Sequence, residues 1–293
     1  MRDLRGQKVV IKDFAITASA NADEGAQAAA CDFAYTWNVP YVKRSGRAIQ
    51  RLLADTGLHD LGVYEQAGRI RLYGQGFSEP FFYHPGVALL RVKQLLRGDA
   101  DRLLEAARIR AGDRVLDATA GLCADTVVLS HGVAEQGRCL AVEANPLVAF
   151  VVAAALQGDQ TGFAPFDSAM RRIDLRCGTW GEALRILPAR TVDIVYFDPM
   201  FAGSQLDSPG IRPLRALAKE GGVSREDVEA ARQIATRGVV VKDVRPGPLL
   251  RALDLEPIRR SGQSTWYSFA PSAWMAEAKD TQRIVKKEGG TYL

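Results

Sequence analysis

The 293-residue chain has only four cysteines and three histidines. Cys31, Cys123, Cys139 and Cys177 form no CxxC pair, which argues against a zinc site and for buried, reduced thiols. His59, His84 and His131 stand too far apart in sequence to make a recognisable ligand motif. No apolar run approaches the roughly 18 residues of a membrane span. The opening "MRDLRGQKVV" lacks the apolar centre of a signal peptide. The expectation is a cytoplasmic protein with neither a membrane nor a metal as partner. Internal repeats are missing too, and the one biased tract is the charged tail "KKEGGTYL". The excess of one charge over the other is small. The net charge of +4 fits an anionic partner without requiring one.

What is present, from about Arg114 onward, is a regular alternation. "RVLDAT", "CLAVEA", "IDLRCG", "VDIVYFD" and "GVVVKDV" read as strands. Between them lie helical stretches from Asp125 to about His131, from Pro146 to about Gln157 and from Trp180 to Leu187. A further helix opens at Ser224, with Asp227 at capping-box spacing. "PGPLLRALD" can form a helix, and "EPIRRS" with "TWYSFAP" suggests a closing strand pair. Strands alternating with helices imply a parallel sheet covered on both faces, and the continuous apolar runs Ile194–Phe197 and Val239–Val241 agree. The expected fold is therefore α/β, a Rossmann-like sheet, mostly parallel with its last strand antiparallel. A dehydrogenase would need GxGxxG after the first strand, where "ATAGLCAD" stands instead.

The first third differs. "KVVIKDFAIT" and "VPYVKR" suggest strands, Asp23 to Tyr35 an alanine-rich helix, and "SGRAIQRLLADTG" a helix ended by Gly57. "LGVYEQAGRIRLYG" suggests a hairpin turning at Ala67-Gly68. These patterns divide the chain into a small N-terminal α/β domain (1–84), a helical bridge (85–112) and a sheet domain (113–293).

In a doubly wound sheet ligands bind beyond the carboxyl ends of the strands. Four stretches fall there. "DATAGLCAD" runs from Asp117 through Gly121 to Asp125; its small residues admit a cofactor, or form only a tight turn with Asp125 as a cap. Glu143 could accept hydrogen bonds from ribose hydroxyls, or stand exposed at a strand end. Thr179 and Trp180 could meet an adenine, or serve as a helix cap and a core aromatic. "VDIVYFDPMFAG" ends a buried strand on Asp198. There Asp198 and the Pro199 carbonyl could accept the hydrogens of an amino group while Phe201 stacks on a planar base; otherwise the stretch is an Asp-Pro turn with a packed aromatic.

Together "VLDATAGLCAD", "AVEANP", "LRCGTWGEAL" and "VYFDPMF" resemble the RsmJ-like family of class I S-adenosylmethionine-dependent methyltransferases, which includes the 16S rRNA guanine-N2 methyltransferase. The resemblance covers about residues 110–245. "EPFFYHPGVALLRVKQLLRGD" looks like a less characterised branch of the same superfamily. It implies S-adenosylmethionine as cofactor, held by Ala124, Asp125, Glu143, Ala144, Thr179, Trp180 and Asp198, with Asp117 and Gly121 in the same turn. It implies transfer to an exocyclic amino group of a base, guanine N2 in ribosomal RNA, at Asp198, Pro199 and Phe201. Met200, Phe201 and Lys242 lie on the acceptor side. Lys43, Arg44, Arg47 and Arg51, with Arg91 and Lys93, could hold phosphates. A solvated helix face is the alternative for the arginines, and packing between domains for "FFYHP". Methylation of DNA or a metabolite, or cofactor or RNA binding without catalysis, are the competing functions. The chain departs from the family with Ala124 in place of an arginine, and with "AGSQLDSPGIRP" where a proline and a basic cluster are usual.

Overall fold

The computed structural model describes residues 1–65, 69–74, 79–158, 160–199, 222–259 and 264–276. Two sheets organise the chain. The first is four-stranded, in the order β1 (Phe14–Ala18), β2 (Asp60–Tyr64), β3 (Ile70–Gly74), β4 (Phe81–Phe82). Its β1 and β2 are parallel and the other pairs antiparallel. The second is six-stranded. It contains β5 (Arg114–Asp117), β6 (Arg138–Glu143), β7 (Ile173–Cys177), β8 (Val192–Phe197), β9 (Ala235–Val244) and β10 (Thr265–Pro271), in the order β10-β9-β8-β5-β6-β7. All its pairs are parallel except β9 with β10. The mostly parallel sheet with an antiparallel last strand is the fold its alternating sequence requires.

Several helices have a local cause. Asp23 caps α1 (Glu24–Trp37) by accepting from Ala26 N at 2.7 Å, and Gly57 closes α2 (Ile49–Thr56) in the left-handed region. Asn145 caps α6 (Pro146–Gln157), with Pro146 in the first turn. Ser224 and Asp227 form a reciprocal capping box on α9 (Arg225–Ile234). The remaining helices are α3 (Gly86–Leu96), α4 (Arg102–Ala106), α5 (Ala124–Gly132), α7 (Ala164–Arg171), α8 (Trp180–Ile186) and α10 (Pro248–Ala252).

The small sheet has two distinct faces. Ala15, Leu61 and Val63 point towards α2 and pack with Ile49, Leu52 and Leu53. Phe14, Ile16, Ile70, Leu72 and Phe81 point the other way and join the core beneath the large sheet. This explains why α6 is apolar all round: one side lies on the large sheet and the other under the small one. Phe150 of α6 meets Phe14 at 5.2 Å, Trp37 at 5.4 Å and Phe33 at 6.2 Å, all edge-on. The same cluster takes in Ala88, Val92 and Leu103. Thus one core crosses the positions expected to separate residues 1–84, 85–112 and 113–293. The bridge is a helical layer of the large sheet, with α3 against α5 and α7.

Four expectations need correction. "VPYVKR" makes only an isolated bridge from Tyr41 to Ile16, and "EPIRRS" only one from Ile258 to Tyr267; Pro40 and Pro257 have no N–H for a ladder. "KVVIKDFAIT" becomes a strand only at Phe14, because Asp13 sits in the left-handed region at φ 52°. Cys31 is exposed and Cys177 half-buried rather than buried, while Cys123 and Cys139 are buried; none of the four is in a disulfide. The Ala67-Gly68 turn lies outside the described residues.

Candidate active site

The strand order reverses between β5 and β8, so the ligand crevice of this sheet opens there. Asp198 follows β8, and its N–H donates to Thr119 Oγ1 in the turn after β5 at 2.6 Å. Ala118 N donates to Tyr196 O at 2.9 Å beside it, so these hydrogen bonds tie the two rims together at the switch point.

On one side, the turn from Asp117 to Cys123 is built by buried polar groups. Asp117 is 1% exposed; it accepts from Thr126 Oγ1 at 2.5 Å and from Thr119 N at 3.1 Å. Burial pushes its carboxyl up to about 7, against both hydrogen bonds. Asp117 thus shapes the turn from within. Gly121 adopts φ +50°, and a Cβ built there would meet nothing within 4 Å, so open space lies above the turn. Gly121 N donates to Glu143 Oε2 at 3.1 Å, and Asn145 N to Glu143 Oε1 at 2.6 Å. Glu143 is fixed at the end of β6 by two backbone donors, with half-buried Ala144 beside it. At the end of β7, Thr179 caps α8 in a capping box with Glu182. Its hydroxyl is used locally, as the cap reading requires. Trp180 is partly buried against the apolar cluster that includes Ala183, Leu184 and Val142. The N-terminal segment also reaches this edge: Cys177 N donates to Arg2 O at 3.1 Å, and Leu4 packs in the same apolar cluster.

The other side is ionic. Lys242 Nζ donates to Asp198 Oδ2 at 2.6 Å and to Asp125 Oδ2 at 2.9 Å. Asp125 also accepts from Tyr196 OH at 2.6 Å and from Arg91, whose guanidinium grips Asp101 at 2.7 and 2.9 Å. Burial alone would raise the Asp125 carboxyl, but the Lys242 and Arg91 charges hold it well below the usual carboxylate range. Burial raises Asp198; Lys242 pulls it back and the Asp125 charge adds to the rise. Burial opposes the charge on Lys242, yet the two carboxylates keep it firmly protonated.

Asp125 is thus an ion-pair centre between Arg91 and Lys242, and Ala124 beside it is half-buried in the first turn of α5. Arg91, expected among the residues that could hold phosphates, is paired with both Asp101 and Asp125. Lys93 lies 5.4 Å over the Phe163 ring. In the N-terminal cluster, Arg47 and Arg51 both pair with Asp55, and Arg44 donates to Arg47 O at 2.9 Å. Lys43 is exposed. Pro199 is buried; Met200 and Phe201 lie outside the described residues. Sequence reasoning missed Tyr196 and Thr119, and gave Arg91 a different role. Tyr196 carried the one available signal, a hydroxyl inside an aliphatic central strand.

Among the described residues no group of three or more His, Cys, Asp or Glu side chains is placed to hold a metal ion, and no helix is long and apolar enough to cross a membrane.

A family model described as "Putative SAM-dependent methyltransferase" matches residues 84–261. The chain belongs to that family of S-adenosylmethionine-dependent methyltransferases. It is 34% identical over 223 residues to "Uncharacterized protein YpiP" of Bacillus subtilis, covering 76% of this chain and 86% of that protein. It is 36% identical over 148 residues to ribosomal RNA small subunit methyltransferase J of Laribacter hongkongensis, covering 47% of this chain and 48% of that one. Against the Pseudomonas aeruginosa enzyme of the same name the figures are 31% over 160 residues, 52% and 59%. The chain spans about half the length of these RNA methyltransferases. A SAM-dependent methyltransferase from Neisseria gonorrhoeae, NGO1261, shares the fold at a TM-score of 0.55 and 20% identity, covering 88% of this chain and 96% of that one.

The residues present fit S-adenosylmethionine, the family's methyl donor. The open space above Gly121 admits a ligand against the backbone, and Glu143 is held where a ribose diol can donate to its carboxylate.

Proposed function

We propose that this methyltransferase modifies an exocyclic amino group of a nucleobase, with guanine N2 of ribosomal RNA as the acceptor. The observation that carries the reading is Asp198, a carboxylate at the switch point, tied to Lys242 at 2.6 Å and followed by Pro199. An exocyclic amine has its lone pair delocalised into the ring. Asp198 and the Pro199 carbonyl can each accept one of its hydrogens, which returns electron density to nitrogen and orients it. No strong base is needed, since the methylated amine sheds its proton readily. Bound S-adenosylmethionine supplies the electrophilic methyl group. The names of the partial relatives support ribosomal RNA as the substrate class.

Lys43 and Arg44 are the residues of the N-terminal cluster best able to meet phosphates, because Arg47 and Arg51 share Asp55. The same neutralisation favours a second reading, a small amine or DNA base as acceptor, for which a basic N-terminal face is unnecessary. The test is transfer of labelled methyl to ribosomal subunits, naked rRNA, DNA and a metabolite pool in parallel. Label in ribosomal RNA is the expected result. Label confined to DNA or small molecules sinks the RNA reading.

A further inference from the structure

Residues 1–8 fold into a tight hairpin on the free edge of the large sheet. Asp3 N donates to Gln7 O at 2.9 Å, and the Asp3 carboxylate accepts from Arg5 N at 2.9 Å and from Gln7 N at 2.8 Å. Arg2 and Lys8 pair across it as an antiparallel bridge, and Asp3 pairs in parallel with Cys177, the last residue of β7. Leu4 is the one apolar side chain between Asp3 and Gln7. It lies on Gly178, just beyond β7. A Cβ built on Gly178 would come within 2.6 Å of Leu4 Cδ1 and 3.1 Å of Leu4 Cγ. Gly178 is outside the left-handed region, so an added side chain would be opposed by Leu4 rather than by backbone conformation.

Gly178 N in turn donates to Glu143 O at 3.0 Å. The Glu143 carboxylate accepts from Gly121 N and Asn145 N. A line of contact therefore runs from the hairpin, through the end of β7, to the carboxylate held where a ribose diol can reach it. The next neighbour of the Gly178 Cβ position is Glu182 Oε2 at 3.2 Å, and that carboxylate already serves Thr179 N at 2.8 Å. Between the hairpin and α8 lies a cavity of about 310 Å³, with Glu182, Arg185 and Ile186 on the α8 side. The hairpin thus has room to shift once its apolar contact is trimmed.

We propose that Leu4 is a positioning residue of the cofactor site: it braces Gly178 at the end of β7 and so holds Glu143 where the ribose of S-adenosylmethionine meets it. This rests on S-adenosylmethionine binding at this rim and is independent of the acceptor. Leu4 carries no polar side-chain atom, so it fixes the strand end without competing for the oxygens of Glu143. The N-terminal hairpin becomes part of the methyl-donor site, although it lies far in sequence from every motif that forms the site.

The experiment titrates the full chain with S-adenosylmethionine by calorimetry and follows amide exchange on the same proteins without ligand. Leu4→Ala should raise Kd about five- to tenfold. It should also speed exchange of the Gly178 amide about tenfold or more while the β8 amides stay near wild type. Leu4→Met keeps the apolar contact and should stay within about twofold of wild type in Kd. Gly178→Ala drives a methyl group into Leu4 and should weaken binding about tenfold. In the double variant Leu4→Ala/Gly178→Ala the methyl enters space the leucine has left, so the loss should be smaller than in Gly178→Ala alone. Losses that multiply, an unchanged Kd in Leu4→Ala, or exchange that speeds throughout the sheet rather than at Gly178 overturns the proposal. Leu4→Val stands in if Leu4→Ala does not fold, with a smaller loss in the same direction; an unchanged Kd there overturns it too. No readout uses RNA. Failure of the ribosomal reading would leave these results standing, and an unmoved Kd would sink the brace even if ribosomal RNA is methylated.

Discussion

The two rims of the crevice are built from different materials. The rim after β5, β6 and β7 is made of turns, caps and backbone donors: Gly121 and Asn145 N–H on Glu143, Thr119 and Thr126 on Asp117, the Thr179–Glu182 box. The rim after β8 and β9 is made of paired ions, Asp198, Lys242, Asp125 and Arg91. Backbone donors hold their direction without a conformational cost at the moment of binding, which suits a ligand that must be bound in one pose. Paired ions hold charge in a place that water has partly left, which suits a step in which charge develops. We propose the first rim as the cofactor side and the second as the acceptor side.

Breaking the ionic rim should cost most. Asp198→Ala should reduce turnover by at least about 10²–10³, measured as methyl transfer at saturating donor. A variant with near wild-type turnover would remove Asp198 from the mechanism.

The next effect separates the rims by pH. Asp117 has its carboxyl raised by burial to about 7, so the folded state keeps a proton that the unfolded chain releases near pH 4. Stability from this group is intact below about pH 4 and is lost as pH rises towards 7, by on the order of 4 kcal/mol. Asp125 is shifted the other way, so its contribution is present above about pH 4 and is lost as pH falls. Asp117→Asn should therefore gain on the wild type between pH 5 and pH 8 in denaturant unfolding. Equal slopes in the two proteins would contradict the burial of a titrating carboxyl.

Glu143→Ala acts on the cofactor rim alone. It strands two backbone N–H groups and should weaken S-adenosylmethionine binding by roughly 1–3 kcal/mol, read by calorimetry, while KM for the acceptor changes little. A larger effect on acceptor than on donor would reverse the assignment of the rims. Thr179→Ala sharpens the same point with a smaller effect. As a cap it should cost about 1 kcal/mol of stability; a loss of donor affinity beyond that would return Thr179 to the cofactor.

Much of this was legible in the sequence because period and capping chemistry are local. Asn145-Pro146 and the Ser224–Asp227 spacing mark α6 and α9, and the apolar runs mark β8 and β9. The α7 helix escaped because it opens on Phe163 with no side-chain cap and follows a Gly-rich loop. The four strand-end motifs do meet at one sheet edge. Their division of labour was not legible, since it depends on long-range partners: Arg91 reaches Asp125 across 34 residues and Lys242 across 117. A motif shows that Asp125 stands at a helix start; only the packing of α3 and β9 around it shows which charges it serves.

The most direct measurement is the identity of the methylated atom. RNA or ribosomal subunits labelled by the enzyme are digested to nucleosides and the product is resolved by mass spectrometry. The expected product carries the methyl group on an exocyclic nitrogen, N2 of guanosine. A methyl group on a ring carbon or a ribose oxygen would contradict the amine-accepting role given to Asp198.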